Sequence, residues 1–141
     1  MYILDTDHVG ILQLASGPEF VALSRRIARC KQSDLYVTIV SFHEQFLGWN
    51  TYIARAKDQA ATVRGYRRME KILADFSCAQ VLPFDEAAGD QFDDFRRQRV
   101  RVATMDLRIA AIAHVRGMIV LTRNAVDFER VPGLRIEDWT T

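Results

Sequence analysis

The chain has 141 residues, a formal net charge of +1 and a hydrophobic fraction of 49%. This length suits a single domain, 1–141, that can fold without disulfides or a structural metal. No apolar stretch approaches the roughly 20 residues of a membrane span, and no signal peptide precedes the first apolar run. We therefore expect a cytoplasmic protein that does not contact a membrane.

Short apolar runs that alternate with amphipathic stretches predict an α/β fold. The predicted elements in chain order are strand Tyr2–Leu4, helices His8–Ala15 and Glu19–Arg29, strand Leu35–Val40, helices 42–55 and 59–76, strand Gln80–Leu82, helices 86–98 and 105–115, strand Met118–Leu121, helical turn Asn124–Phe128 and edge strand Leu134–Ile136. Alternating strands and helices imply a central parallel sheet of four to five strands, flanked by helices and joined by right-handed crossovers.

Two of these helices carry more detailed predictions. The first helix should be capped by Thr6 or Asp7. The inward face of the fourth helix should carry its apolar side chains, which are Val63, Tyr66, Met69, Ile72 and Leu73.

Four separate stretches place an acidic or amide side chain where a strand ends or a helix begins. These side chains are Asp5, Glu44, Asp106 and Asn124. The carboxyl ends of parallel strands line one crevice, so the four should lie close together. Carboxylates gathered there would repel one another unless a divalent cation bound between them. The pattern thus predicts a metal site.

Each of these residues also has a purely structural interpretation. The alternatives are a helix cap or solvated strand end for Asp5, a capping box of Ser41 with Glu44, a favourable first-turn charge for Asp106 behind a Thr104 cap, and a helix cap for Asn124. Thr6 and Thr122 carry hydroxyls that could orient carboxylates or metal-bound water. The roles of Asp7 and Asp127 stay open. The three histidines lack the paired spacing of a zinc site.

Three segments resemble the PIN-domain nucleases, specifically the VapC-type ribonuclease toxins of toxin–antitoxin pairs. The opening YILDTDHV is similar to the start of that family, and TIVSFHEQFLGW matches its second motif. The segment ATMDLRIAAIAHVRGMIVLTRNAVDFERVPGLRIEDW is the most specific. The resemblance covers nearly the whole chain and implies a three-layer sandwich around the parallel sheet.

The resemblance implies an endoribonuclease toxin that cleaves structured RNA and inhibits translation. It makes Asp5, Glu44 and Asp106 the metal ligands and puts Asn124 where many PIN domains have a fourth acid, which leaves a second metal in doubt. An oxygen-only ligand set favours Mg²⁺ or Mn²⁺. The resemblance also implies a homodimer and a cognate VapB-type antitoxin. The apolar face of Phe20, Leu23 and Ile27 could offer a groove for that antitoxin, or it could pack in the core.

Two rival interpretations remain. Asp5-Thr6-Asp7-His8-Val9 also looks like the opening of haloacid-dehalogenase phosphatases, with Asp5 as nucleophile and Asp7 as acid/base. Those enzymes need a downstream lysine, and the last lysine here is Lys71. The second interpretation, which Asn124 invites, is a catalytically impaired PIN fold that binds RNA or an antitoxin.

Overall fold

A computed structural model describes residues 1–141 and contains a five-stranded, all-parallel sheet. Its strands are β1 (Tyr2–Leu4), β2 (Leu35–Thr38), β3 (Val81–Leu82), β4 (Ile119–Leu121) and β5 (Arg135–Glu137). They are arranged in the order β3-β2-β1-β4-β5. The first strand of the chain is therefore the central one, with Ile3 opposite Tyr36 on one side and Val120 on the other.

Helices cover both faces of the sheet. They are α1 (Thr6–Leu14), α2 (Pro18–Ile27), α3 (Ile39–Ala54), α4 (Gln59–Ser77), α5 (Glu86–Arg97), α6 (Thr104–Arg116) and α7 (Ala125–Phe128), with a short 3₁₀ turn at Gln32–Asp34. Ile3 and Val120 belong to one buried core, which includes the small-residue face of α6. Leu4 and Leu121 belong to the other, which includes side chains of α1, α2 and α4.

This division follows from strand geometry, because successive side chains point to opposite faces of a sheet. Two separate cores on either side of one parallel sheet make a three-layer α/β sandwich, and the predicted fold class is confirmed. None of the helices combines the length and apolarity that crossing a bilayer requires.

The boundary between β2 and α3 differs from the prediction. The strand ends at Thr38, and Ile39 and Val40 already belong to the helix. The Thr38 hydroxyl accepts a hydrogen bond from the Ser41 N–H at 3.1 Å and so caps α3. The β-branched residues favour a strand locally, but this cap and the burial of Val40 outweigh that preference.

The inward face predicted for α4 is wrong for three of its five residues. Val63, Tyr66 and Leu73 are exposed, whereas Ile72 is buried. The helix instead turns Gly65 towards α3, so tightly that a Cβ built there would lie 2.4 Å from Ile53 Cγ1. Because Gly65 faces α3, the helix is rotated relative to the predicted orientation, and Val63, Tyr66 and Leu73 face solvent.

The α2 face and the last strand can also be compared with the prediction. Leu23 is fully buried, and Phe20 and Ile27 pack against the same core, so this face follows the core-packing alternative. The edge strand lies one residue later than predicted, at Arg135–Glu137.

Candidate metal centre

Asp5 follows β1 directly and caps α1. Its Oδ1 accepts hydrogen bonds from the backbone N–H groups of Asp7 and His8, both at 3.2 Å. The predicted cap at Thr6 or Asp7 is therefore wrong, because both residues are already inside the helix. Both capping bonds use Oδ1, which leaves Oδ2 as the oxygen available to a cation. The Asp5 N–H donates to Leu121 O at 3.1 Å and ties this position to the end of β4.

Glu44 projects from α3 and is held by a residue of α1. The Thr6 hydroxyl donates to Glu44 Oε1 at 2.8 Å and lies 3.1 Å from Ser41 Oγ. The capping box predicted for Ser41 and Glu44 is absent, because Thr38 caps this helix and the Glu44 carboxylate bonds to Thr6 instead. Thr6 is thus in direct contact with the Glu44 carboxylate.

Asp106 lies in the first turn of α6. The cap residue is Ala103, without a side-chain bond, so the predicted Thr104 cap is wrong. Asn124 Nδ2 donates to Asp106 Oδ2 at 3.3 Å and to Asp127 Oδ2 at 2.9 Å. Asn124 occupies the cap position of α7, but its side chain makes no capping bond.

Thr122 holds the loop between β4 and α7. Its hydroxyl accepts a hydrogen bond from the Asn124 N–H at 2.9 Å. It is nearly fully buried, and its N–H donates to Glu137 O of β5 at 2.9 Å. Asn124 is therefore positioned by a rigid part of the sheet edge.

The negative charges of neighbouring acids act on Asp106. Burial raises the pKa of the Asp106 carboxyl, and the negative charges of Glu44 and Asp127 raise that pKa further. The hydrogen bond donated by Asn124 opposes this rise. Neither Glu44 nor Asp106 forms an ion pair, although Asp127 Oδ1 lies 3.6 Å from Arg130 Nη1. Uncompensated carboxylates in a common pocket are arranged to receive a cation.

A second acidic cluster, which the sequence did not reveal, surrounds His8. The imidazole is fully buried, and its Nδ1 lies 2.7 Å from Asp7 Oδ1 and 3.6 Å from Asp5 Oδ1. Burial lowers the pKa of His8, but hydrogen bonds to Asp5 and Asp7 more than offset this and raise it to about 9. Its Nε2 has no hydrogen-bond partner and lies 3.9 Å from Asp138 Oδ1.

The contacts of this cluster shift the pKa values of Asp5 and Asp7 in opposite directions. Burial raises the pKa of Asp5 to about 6, against the opposing hydrogen bonds of His8 and Thr122. Burial also disfavours ionisation of Asp7, but hydrogen bonds, first that of His8, lower its pKa below the usual range. Asp7 Oδ2 lies 3.3 Å from the Arg123 N–H, which donates to it, and 3.4 Å from Arg123 Nε. Asp7 therefore ties α1 to the loop that carries Asn124.

The ligand atoms that lie closest together are not those of the predicted three acids. Asp5, Asp7 and His8 form the one group whose candidate ligand atoms all lie within 4.8 Å of one another. In that group the imidazole Nδ1 and a carboxylate oxygen of Asp7 already bind each other. Asp5, Glu44 and Asp106 form a wider, oxygen-only set. Such a set fits Mg²⁺, which typically takes one or two carboxylates directly and reaches other groups through water.

The fold is shared with solved toxin–antitoxin structures. VapBC-1 of nontypeable Haemophilus influenzae aligns with a TM-score of 0.76 at 19% identity, over 99% of this chain and 98% of that one. DNA-bound VapBC of Salmonella typhimurium aligns with a TM-score of 0.73 at 25% identity, over 98% and 97%. The first likeness, at this low identity, concerns the fold alone.

Sequence comparison leads to the same group, although no protein-family model matches the chain. A protein of Salmonella typhimurium named tRNA(fMet)-specific endonuclease VapC is 29% identical over 142 positions, covering 98% of this chain and 97% of that protein. A Shigella flexneri protein of the same name is 38% identical over 78 residues, or 52% and 59% of the two chains. Over nearly its whole length, the chain is similar to proteins named VapC.

Of the predicted site residues, Asn124 and Asp106 are hydrogen-bonded to each other, and Glu44 is near enough for its negative charge to raise the pKa of Asp106. Asp5 adjoins this group, since Thr6, its neighbour in sequence, holds Glu44. Sequence reasoning missed the supporting roles of His8, Asp7 and Asp127. Only the short sequence spacing of His8 from Asp5, three residues after the cap of α1, could have suggested that His8 contacts Asp5.

Proposed function

We propose that this chain is a VapC-type toxin of a toxin–antitoxin pair, a Mg²⁺- or Mn²⁺-dependent endoribonuclease that hydrolyses RNA phosphodiester bonds and so inhibits translation. The observation that carries the proposal is the group of acids held by hydrogen bonds: Asn124 bridges Asp106 and Asp127, and Thr6 holds Glu44, whose negative charge raises the pKa of Asp106. The similarity over nearly the full length to endonucleases named VapC supports the same activity.

In this proposal Asp5 and Asp106 bind the cation directly, and Glu44 binds it or orients the attacking water. When bound, the divalent cation lowers the pKa of a water molecule and offsets charge that develops on the phosphate. Asn124 holds Asp106 in place through its amide hydrogen bond and offers its own oxygen to water or to a second ion. Thr122 keeps Asn124 in position.

The remaining groups supply rigidity. Thr6 fixes the Glu44 carboxylate, and Asp7, held by His8, fixes the backbone at Arg123. Groups that bind a cation must keep their geometry, because small displacements of ligands reduce both affinity and rate. The network thus connects each proposed ligand to the sheet.

The phosphatase alternative receives no support from this geometry. An acid/base catalyst needs a carboxyl that can exchange protons with the substrate. Asp7 instead has one oxygen paired with His8 and the other with Arg123, and its pKa is lowered.

The proposed partners follow from the relatives and from the exposed surface. Both relatives are named for tRNA(fMet), so we propose tRNA as the substrate class. The neighbours are VapBC complexes, so we propose a cognate VapB-type antitoxin. The α3–α4 hairpin exposes Phe46, Leu47, Val63, Tyr66 and Leu73. Apolar side chains grouped in this way are typical of protein interfaces and support the proposed homodimer.

The direct test is cleavage of a labelled initiator tRNA by the purified protein. We expect cleavage with Mg²⁺ or Mn²⁺, none with EDTA, and none for Asp106→Asn. Asp93→Asn is the matched control, because Asp93 is an exposed acid on α5. A folded Asp106→Asn protein that cleaves as fast as the control contradicts the proposed site. Wild-type protein that binds tRNA but never cuts it favours the binding-module alternative.

A further inference from the structure

The turn between α5 and α6 forms a concavity lined by arginines. This arginine hollow has a volume of about 450 Å³ and is lined by Arg96, Arg99, Val100, Arg101 and Val102. No acidic side chain lines it. Arg99 adopts a left-handed backbone conformation with φ of 60°, which turns the chain between the two helices.

The three guanidinium groups of the hollow are not neutralised by the protein. Arg96, Arg99 and Arg101 are exposed, and none of them forms an ion pair. Their neighbour Arg97 differs, because its Nη2 lies 3.7 Å from Asp94 Oδ1. Several uncompensated positive charges around one concave surface concentrate anions there. Guanidinium groups bind phosphate oxygens bidentately, which makes phosphate a well-matched anion.

One of these arginines is held in place by an aromatic ring. The Arg96 guanidinium carbon lies 5.0 Å from the centroid of the Phe92 ring, and that of Arg108 lies 5.9 Å from the same centroid. A cation over a ring face is attracted by the ring quadrupole. Arg96 is therefore partly ordered before any ligand binds, and ordering it on binding costs less entropy.

The hollow adjoins the acidic pocket through a chain of contacts. Arg130 Nη1 donates to Arg101 O at 3.3 Å and lies 3.6 Å from Asp127 Oδ1. Asp127 and Asp106 both accept hydrogen bonds from Asn124. The arginines thus lie on the Asp106 side of the proposed metal centre, at the start of the helix that carries it.

From this arrangement we infer that the arginine hollow binds backbone phosphates of the RNA substrate that flank the one cleaved in the acidic pocket. This inference rests on the proposed function. An acidic pocket repels a polyanion, and the net charge of +1 supplies no general attraction. A local cationic surface beside the pocket offsets that repulsion and sets which stretch of RNA backbone enters it.

The test is the salt dependence of RNA binding. Affinity for a fluorescein-labelled initiator tRNA is measured in EDTA between 50 and 300 mM KCl. The proteins are wild type, the triple variant Arg96→Gln/Arg99→Gln/Arg101→Gln, and the control triple Arg25→Gln/Arg26→Gln/Arg29→Gln. The control removes three exposed charges from and beside α2. Each phosphate contact contributes about 0.7–0.9 to the slope of log affinity against log salt.

We expect the hollow variant to lower the slope by about 2 to 3 and to weaken binding at low salt by on the order of tenfold or more. The control triple should change both quantities much less. A lysine triple at the same three positions should keep the slope but bind less tightly, since lysine cannot bind phosphate bidentately. Circular dichroism and thermal unfolding establish that each variant is folded.

Three results would overturn the inference. The hollow and control triples could weaken binding equally, which would assign the effect to net charge. In a competition experiment, poly-glutamate at a charge concentration equal to that of the tRNA could displace tRNA from wild type but not from the hollow variant. That result would indicate that the arginine hollow binds an acidic peptide. The glutamine triple could bind as wild type does. Cleavage by wild type with Mg²⁺, measured in parallel, separates these failures from failure of the proposed nuclease.

Discussion

Asn124→Asp is the substitution that tests the electrostatics of the pocket most directly. The amide nitrogen of Asn124 donates to carboxylate oxygens of Asp106 and Asp127 at 3.3 and 2.9 Å. The isosteric aspartate would replace that donor with a third negative oxygen. The change removes two hydrogen bonds and creates two close repulsions without altering the size of the side chain.

The cost follows from these two contributions. A hydrogen bond to a charged group contributes roughly 1.5–3 kcal/mol when buried, and about 1 kcal/mol each is reasonable for this half-buried pocket. Two carboxylates about 4 Å apart repel by about 1 kcal/mol in water and about 4 kcal/mol at an effective dielectric constant of 20. Rotation of the new side chain relieves part of this. We expect a loss of about 2–4 kcal/mol in the free energy of unfolding at pH 7 in EDTA.

The sign of the pH dependence is also determined. The introduced carboxyl has a folded-state pKa above its unfolded value, because its neighbours are negative. The repulsive part of the cost is therefore absent well below the unfolded pKa of about 4, grows as pH rises above that value and is complete above the folded pKa. Millimolar Mg²⁺ should recover much of the loss, because a cation favours the charged forms of all three acids.

Urea unfolding at pH 4 and pH 7, in EDTA and in MgCl₂, measures each of these quantities. The control is Asn50→Asp, at an exposed position in the last third of α3 and the other asparagine of the chain. A loss at Asn124 that equals the loss at Asn50, or that persists unchanged at pH 4, would refute the account of converging carboxylates.

Three further predictions concern the framework. In EDTA, the stability that His8 contributes should be fully present below pH 6.5 and lost as pH rises through about 9, because its folded pKa is raised, and His8→Gln should flatten this part of the pH profile. Gly65→Ala should cost about 1–3 kcal/mol in urea unfolding through its clash with Ile53, and Ile53→Ala in the same chain should recover part of that loss. Leu107→Ala should cost about 2–5 kcal/mol, because Leu107 is buried in the first core.

The sequence predicted the α/β architecture because the apolar runs of the strands and the amphipathic pattern of the helices are both local signals. Short apolar runs mark the strands, and their alternation with amphipathic helices permits few topologies. The four site positions followed from one topological rule, that polar groups after parallel strands share an edge. The hydrogen bond between Asn124 and Asp106 is the contact that this rule leads one to expect.

What the sequence could not supply depends on contacts between distant segments. Ile39 and Val40 continue an apolar run, and a strand end cannot be distinguished there from the first turn of a helix. The α4 face depends on how closely Gly65 approaches α3. Asp7 acquires its structural role from Arg123, which is 116 residues away in sequence. Local patterns carry no information about such partners.

The central position of β1 has a consequence for synthesis of the protein on the ribosome. The strand made first, Tyr2–Leu4, pairs with β2 on one side and with β4, Ile119–Leu121, on the other. Asp106 and Asn124 emerge with that late strand. A nascent chain therefore holds Asp5 and Glu44 but not the other two site residues until the ribosome has passed Asn124. Products that terminate before Asp106 lack half of the proposed site.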